Sequence, residues 1–257
     1  MVYLMVEQQF AKYPWCQRTI RGIFEEVRKR RIHVQEVSEL PGGAEERSCV
    51  LLVGASEEWI NQTARGAGSL GLHPIVLSNR ETNSSGLSVS SVKMDIHSSM
   101  ELAVDYLRTL DRERLALFGV NPSASSDLWR ARRFGELTGR EGDVFFLGSS
   151  VNEIFDQFYE KIHRYDGVIC ASDYAAVSLV GRLREKNYAI PEKLYVVGYG
   201  DMFLSRLFRP SITSISDDYE SFGKAALAIC AMMEKNDAFS VVSVKLKSRL
   251  HIRETTE

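Results

Sequence analysis

The groups best placed to grip a polar molecule follow Ser125-Ser126-Asp127, where Arg130, Arg132 and Arg133 arrive within one helical turn. Positions 130 and 133 share a helix face. A guanidinium aimed inward offers a rigid fork to vicinal hydroxyls or a carboxylate; aimed outward, the same residues are ordinary surface arginines. Asp173, Asp201 and a histidine brought together in space would imitate a hydrolase site, and sequence spacing neither supports nor excludes that. The recognisable catalytic spacings are missing. No GxGxxG follows the first apolar run, where the chain reads Glu7-Gln8-Gln9-Phe10-Ala11, and there is no GxxxxGK[ST], HExxH or GxSxG. His33, His73, His97, His163 and His251 do not cluster, and Cys16, Cys49, Cys170 and Cys230 lack metal-ligand spacing. These features predict a binding protein without cofactor or metal, not an enzyme, with its cysteines as buried free thiols.

Charge narrows the partners. The 257 residues carry 32 basic and 34 acidic side chains, a formal net charge of -2, which gives no electrostatic basis for holding a polyanion. Arg28-Lys29-Arg30-Arg31 reads as a solvated helix end whose cations complement the carbonyl pole. The opening Met1-Val2-Tyr3-Leu4-Met5-Val6 lacks a basic leader and a cleavage site, so it reads as a strand. No run approaches the roughly 18–20 apolar residues of a membrane span.

The elements that must position these groups alternate. Strands are predicted at Val2–Val6, His33–Val37, Val50–Val53, Pro74–Leu77, Leu115–Phe118, Val144–Leu147, Gly167–Cys170, Leu194–Val197, Val241–Lys245 and Leu250–Arg253. Helices are predicted at 14–30, 57–66, 95–110, 127–138, 151–163, 174–186 and 218–233. Asp95 or Ser98 caps the third helix. The stretch Glu81–Ser91, rich in Ser and Asn, reads as a loop. Repeated strand-helix units require right-handed crossovers and mostly parallel sheets. The restart after residue 110 divides them into two sheets of five or six strands, with ligands expected at the carboxyl ends of the strands.

Several segments resemble one family. Tyr165-Asp166-Gly167-Val168-Ile169-Cys170-Ala171-Ser172-Asp173, Leu194-Tyr195-Val196-Val197-Gly198-Tyr199-Gly200-Asp201, Arg209-Pro210-Ser211-Ile212-Thr213 and the ending Leu250-His251-Ile252-Arg253-Glu254-Thr255 are similar to the effector-binding core of the lactose and purine repressor family. Tyr13-Pro14-Trp15-Cys16 leading to Arg21-Gly22-Ile23 also falls in register. The resemblance implies an α/β fold of two Rossmann-like lobes, periplasmic-binding-protein-like, with a hinge of three crossovers. The first lobe would take residues 1–111 with 216–237 returning to it, and the second 112–215 with 238–257.

By the same resemblance the chain would sense a small polar metabolite, a sugar or sugar derivative, in an interlobe cleft, as part of a cytoplasmic, homodimeric transcriptional regulator. DNA would be read only by a helix-turn-helix headpiece, which this chain lacks, and no membrane is involved. The alternative is a periplasmic or surface sugar-binding protein of a transport system. The matched positions make Trp15 a ring-stacking aromatic, Arg130 the clamping arginine, and Asp173 a hydrogen-bonding contact or the cap of the helix at Tyr174. Phe10, Arg80 and Phe208 become rim candidates. Asp201 is a ligand contact or a structural acid, and Asp95 a ligand contact or a cap. Gly200 stands where the family usually has a ligand-binding acid, which weakens the expectation of an ordinary sugar held in the ordinary way.

Overall fold

The computed structural model describes residues 1–79, 89–148, 151–235 and 241–257. Two compact units divide the chain: Met1–Met94 with Asp218–Leu246, and Asp95–Asp217 with Lys247–Glu257. The backbone therefore passes from one unit to the other three times.

The first unit is built on β1 (Val2–Val6), β2 (Val34–Glu36), β3 (Cys49–Val53), β4 (His73–Ser78), β5 (Ser90–Met94) and β11 (Ser243–Leu246), with α1 (Pro14–Arg30), α2 (Glu57–Ser69) and α8 (Ser221–Lys235). Its sheet runs β11-β5-β4-β3-β1-β2, parallel throughout. Cys49–Val53 is buried at every position, as a central parallel strand must be. On α1 and α8 the backbones meet. A Cβ on Gly22 would lie 2.1 Å from the Glu220 carbonyl oxygen, and one on Gly223 2.4 Å from Gly22. Only glycine permits that approach, so these two residues fix where the returning helix docks.

The second unit holds α3 (Ile96–Thr109), β6 (Leu115–Val120), α4 (Ser125–Thr138), β7 (Val144–Phe146), α5 (Val151–Glu160), β8 (Gly167–Cys170), α6 (Asp173–Glu185), β9 (Tyr195–Tyr199), α7 (Phe203–Leu207), β10 (Thr213–Ser216) and β12 (Arg249–His251). Its sheet runs β12-β10-β9-β8-β6-β7, parallel except for β12 against β10. Phe118 of β6 and Phe155 and Phe158 of α5 are buried together in its core, each worth about 1.5–3 kcal/mol of apolar burial.

In each sheet the chain order reverses beside its first strand, between β1 and β3 and between β6 and β8, which opens a crevice at their carboxyl ends. The α/β class and the two mostly parallel sheets agree with the sequence. The unit boundaries differ from the expected 111/112 and 237/238. Helix α3 buries Ala103, Val104 and Leu107 against Leu115, Leu117 and Phe134 of the second unit, and Tyr106 bonds Thr256 at 2.8 Å. Strand β11 pairs with β5 in the first unit. Two further strands escaped the sequence reading: β5, partly inside the expected 81–91 loop, and β10. Among the described residues no helix is long and apolar enough to cross a membrane, and all four cysteines are buried and free.

Candidate ligand site

In the second unit the carboxyl ends of β6, β9 and β10 assemble a charged cluster around Arg130. Asp127, in the first turn of α4, accepts from the Asn121 N–H at 3.1 Å with one oxygen and from Arg130 Nη1 at 2.8 Å with the other. The Arg130 guanidinium lies over the Tyr199 ring, 3.8 Å from its centroid. Tyr199 in turn donates its hydroxyl to Asp217 Oδ1 at 2.7 Å, and Ser248 Oγ donates to the same oxygen at 2.7 Å. Only 14% of the Arg130 side chain is exposed. Burial opposes its charge, yet Tyr199, Asp217 and Asp127 together raise its pKa above the ordinary arginine value. Burial also pushes the Tyr199 phenol up to about 12, so it stays a hydrogen-bond donor at neutral pH.

Asp173 is fully buried. Its carboxylate accepts from Ser214 Oγ at 2.6 Å and from the Met202 N–H at 2.6 Å. Burial raises its pKa, opposed by those donors. The capping role expected of it belongs to Ser172, whose Oγ accepts from the Ala175 N–H. Asp173 instead ties β10 to the segment entering α7. Asp201 also turns inward. It adopts a left-handed conformation at φ 47°, and its carboxylate pairs with Arg206 and Arg253, with His251 Nε2 at 3.6 Å. Burial raises its pKa, but the two arginines outweigh it and hold the carboxyl below the usual range. Gly200 has a local reason to be glycine. Its φ is +123°, and an added Cβ would press on Met202 Cγ at 3.3 Å.

In the first unit Phe10, Trp15 and Tyr219 form a row, with ring centroids 6.1 and 6.4 Å apart. Pro14 at the first turn of α1 fixes the direction in which Trp15 enters. Arg18 grips Glu220 through two bonds of 2.8 Å and lies 5.5 Å over Tyr219. At the end of β1, Glu7 accepts from the Ala55 and Ser56 N–H groups at 2.9 and 3.0 Å. Beside it lies a groove of about 560 Å³ lined by Gln8, Gln9, Ser56, Trp59 and Gln62. Asp95 caps α3 by accepting from the Ser98 N–H at 3.3 Å. Phe208 packs half-buried on the core of the second unit. Arg80 lies outside the described residues.

The structure thus joins Arg130 to Tyr199 and Asp217, and Trp15 to Phe10 and Tyr219, while Asp173 and Asp201 are consumed by partners within the chain. Sequence reasoning missed Tyr199, Asp217, Tyr219 and Glu7. The one signal available was the Tyr199-Gly200-Asp201 step, where the aromatic's hydroxyl needs a buried acceptor.

Residues 104–256 match the family model described as a periplasmic binding protein-like domain. The chain belongs to that family. Its resemblance to lactose and purine repressor cores is borne out by the relatives. It is 29% identical over 119 residues to the HTH-type transcriptional regulator RegA of Clostridium saccharobutylicum, covering 46% of this chain and 32% of the relative. It is 31% identical over 111 residues to the arabinose metabolism transcriptional repressor of Halalkalibacterium halodurans, covering 41% and 30%. These matches span about a third of the relatives' length. Among solved structures, a LacI transcriptional regulator from a Rhodococcus species superposes with a TM-score of 0.69 at 22% identity, covering 100% of this chain and 98% of that one. A LacI family regulator from Enterococcus faecalis with bound ribose gives 0.67 at 19%, covering 100% and 98%.

Proposed function

We propose that this chain is the effector-sensing part of a bacterial transcriptional regulator and that it binds a small polar metabolite of the sugar class. The observation that carries this reading is that the Arg130 cluster lies within the stretch that matches the periplasmic binding protein-like family, and the chain's relatives are transcriptional regulators. Similar folds hold ribose or cellobiose. Arg130 supplies directional hydrogen bonds, and Trp15 with Phe10 supplies ring faces. Asp173 and Asp201 act indirectly, by fixing the loops that follow β8 and β9. Asp95 and Phe208 hold the ends of α3 and α7.

The chain is not an enzyme on this reading. Effector binding favours one arrangement of the chain and shifts its population. The three passages between units serve as the hinge, and DNA is read by a separate module in the cytoplasm. The regulator acts as a homodimer; exposed Phe203 and Leu207 on α7 supply apolar surface for it. The relatives are regulators rather than transport proteins, so the transport reading has no observation in its favour.

Thermal-shift screening against monosaccharides, sugar phosphates and purines tests the sensing role, because a ligand selective for the folded state raises its apparent stability. Sedimentation tests the dimer: a stable monomer at about ten micromolar or above contradicts it.

A further inference from the structure

Cys49 and Cys230 come from distant parts of the chain, with the whole of Asp95–Asp217 between them, and both belong to the first unit. Cys49 opens β3 and is held on both sides, paired with Val2 of β1 and His73 of β4. Cys230 lies on α8, which Gly22 and Gly223 dock against α1. The sheet register brings the two cysteines to one face. Leu51, Ile75 and Ser90 lie side by side across β3, β4 and β5, and Ser90 Oγ sits 4.0 Å from Met233 Sδ of α8. Cys49 is two residues before Leu51, so its side chain leaves the same face of the sheet. Cys230 is three residues before Met233, so it lies on the same side of α8. Between the sheet and the helix the two thiols are hydrogen-bonded to each other.

The other two cysteines are placed differently. Cys16 and Cys170 are completely enclosed, at 0% exposure, whereas Cys49 and Cys230 retain 2% and 3%. Burial pushes the Cys16 thiol up to about 11 and raises that of Cys170 as well, and the neighbouring Glu7 and Asp173 carboxylates add to each effect. Cys49 is the opposite case. The bond from Cys230 lowers its pKa, against burial and the Glu234 carboxylate. A thiolate, the form that reacts, is therefore most accessible at the one position with a second thiol beside it.

We propose that Cys49 and Cys230 form a reversible redox site, in which oxidation by hydrogen peroxide joins them in a disulfide that staples α8 to β3. The Cys49 thiolate attacks one peroxide oxygen and the O–O bond breaks. The leaving hydroxide takes up the proton that Cys49 had lost, giving water and a Cys49 sulfenic acid. The Cys230 sulfur then attacks the Cys49 sulfur. The S–S bond forms, the S–O bond breaks, and the hydroxyl leaves as water with the Cys230 proton. Two thiols thus give two electrons to one peroxide, and two waters result. A thiol reductant reverses the step by exchange. The closed ring contains all of Asp95–Asp217, so the bond restricts the unfolded chain while tying two elements that are already adjacent.

The test uses the intact chain. Trypsin leaves each cysteine in its own peptide, with Cys49 between Arg47 and Arg65 and Cys230 between Lys224 and Lys235. After excess hydrogen peroxide, the free thiols counted in the denatured chain should fall from four to two. Mass spectrometry without reductant should show these two peptides joined, and dithiothreitol should restore all four thiols. The oxidised chain should melt roughly 5 °C or more above the reduced one. Cys49→Ser and Cys230→Ser should each abolish the joined peptide and the rise, and the wild-type peptide map decides the matter even where a variant fails to fold. Four thiols retained, a different pairing, Cys49 oxidised beyond the sulfenic stage with Cys230 left free, or a joined chain that melts no higher would each overturn the proposal. The sensing role stands or falls separately.

Discussion

Tyr199 serves two neighbours with different parts of one side chain: its ring carries the Arg130 guanidinium 3.8 Å from the centroid, and its hydroxyl reaches Asp217 at 2.7 Å. Asp217 is the last residue of the second unit before the chain crosses to the first, and Ser248, which also donates to it, stands just after the chain returns. The proposed clamping arginine is therefore bonded, through one tyrosine, to both of those passages.

Arg130→Ala should lower affinity for the metabolite that binds by at least about tenfold, because a charge-assisted, directional donor is lost. The fold should survive, since α4 stays anchored by Ala131 and Phe134 in the core. Isothermal titration with a far-ultraviolet melt separates the two effects, and unchanged affinity would remove Arg130 from the site.

Tyr199→Phe retains the ring beneath Arg130 and removes one donor to a buried carboxylate. A loss of about 1 kcal/mol is expected from the missing hydrogen bond, limited by the Ser248 donor that remains. Urea denaturation should show a lower midpoint with an unchanged slope.

Asp201 and Asp173 should act oppositely in acid. The Asp201 pKa is lowered in the fold by Arg206 and Arg253 despite burial. Its stabilisation is therefore complete above the ordinary carboxyl value of 3.8 and is lost as pH falls through the lower folded pKa. The Asp173 pKa is raised by burial, so its ionisation costs stability above the folded pKa, and that cost is relieved as pH falls through it. Thermal melts of Asp201→Asn should be less stable at neutral pH and should flatten the acid limb. Asp173→Asn should leave that limb steep.

Gly200→Ala places a Cβ on a backbone at φ +123° and against Met202 Cγ. A destabilisation of about 1–3 kcal/mol is expected, measured by the same urea series. A neutral outcome would show that Gly200 is not required by its backbone conformation.

What the sequence determined by itself was whatever depends on neighbours along the chain. Apolar runs such as Val50–Val53 and Leu115–Phe118 announce central parallel strands, and the repeated helical stripes between them force two wound sheets. The family segments around Gly167 and Gly198 point to a sensing core, and Asp95 is legible as a cap. Strands β5 and β10 were not legible, because Ser90-Ser91 and Thr213-Ser214 look like loop residues until their hydroxyls find distant partners. Ser91 meets Ser243 at 3.1 Å, and Ser214 meets Asp173. The roles of the acids were equally hidden. Asp173 and Asp201 have the composition of ligand contacts, but Met202, 29 positions from Asp173, and Arg253, 52 positions from Asp201, engage them together with the nearby Arg206. Only tertiary structure decides which polar groups remain unspent, because burial raises the cost of an unpaired charge and makes long-range partners obligatory.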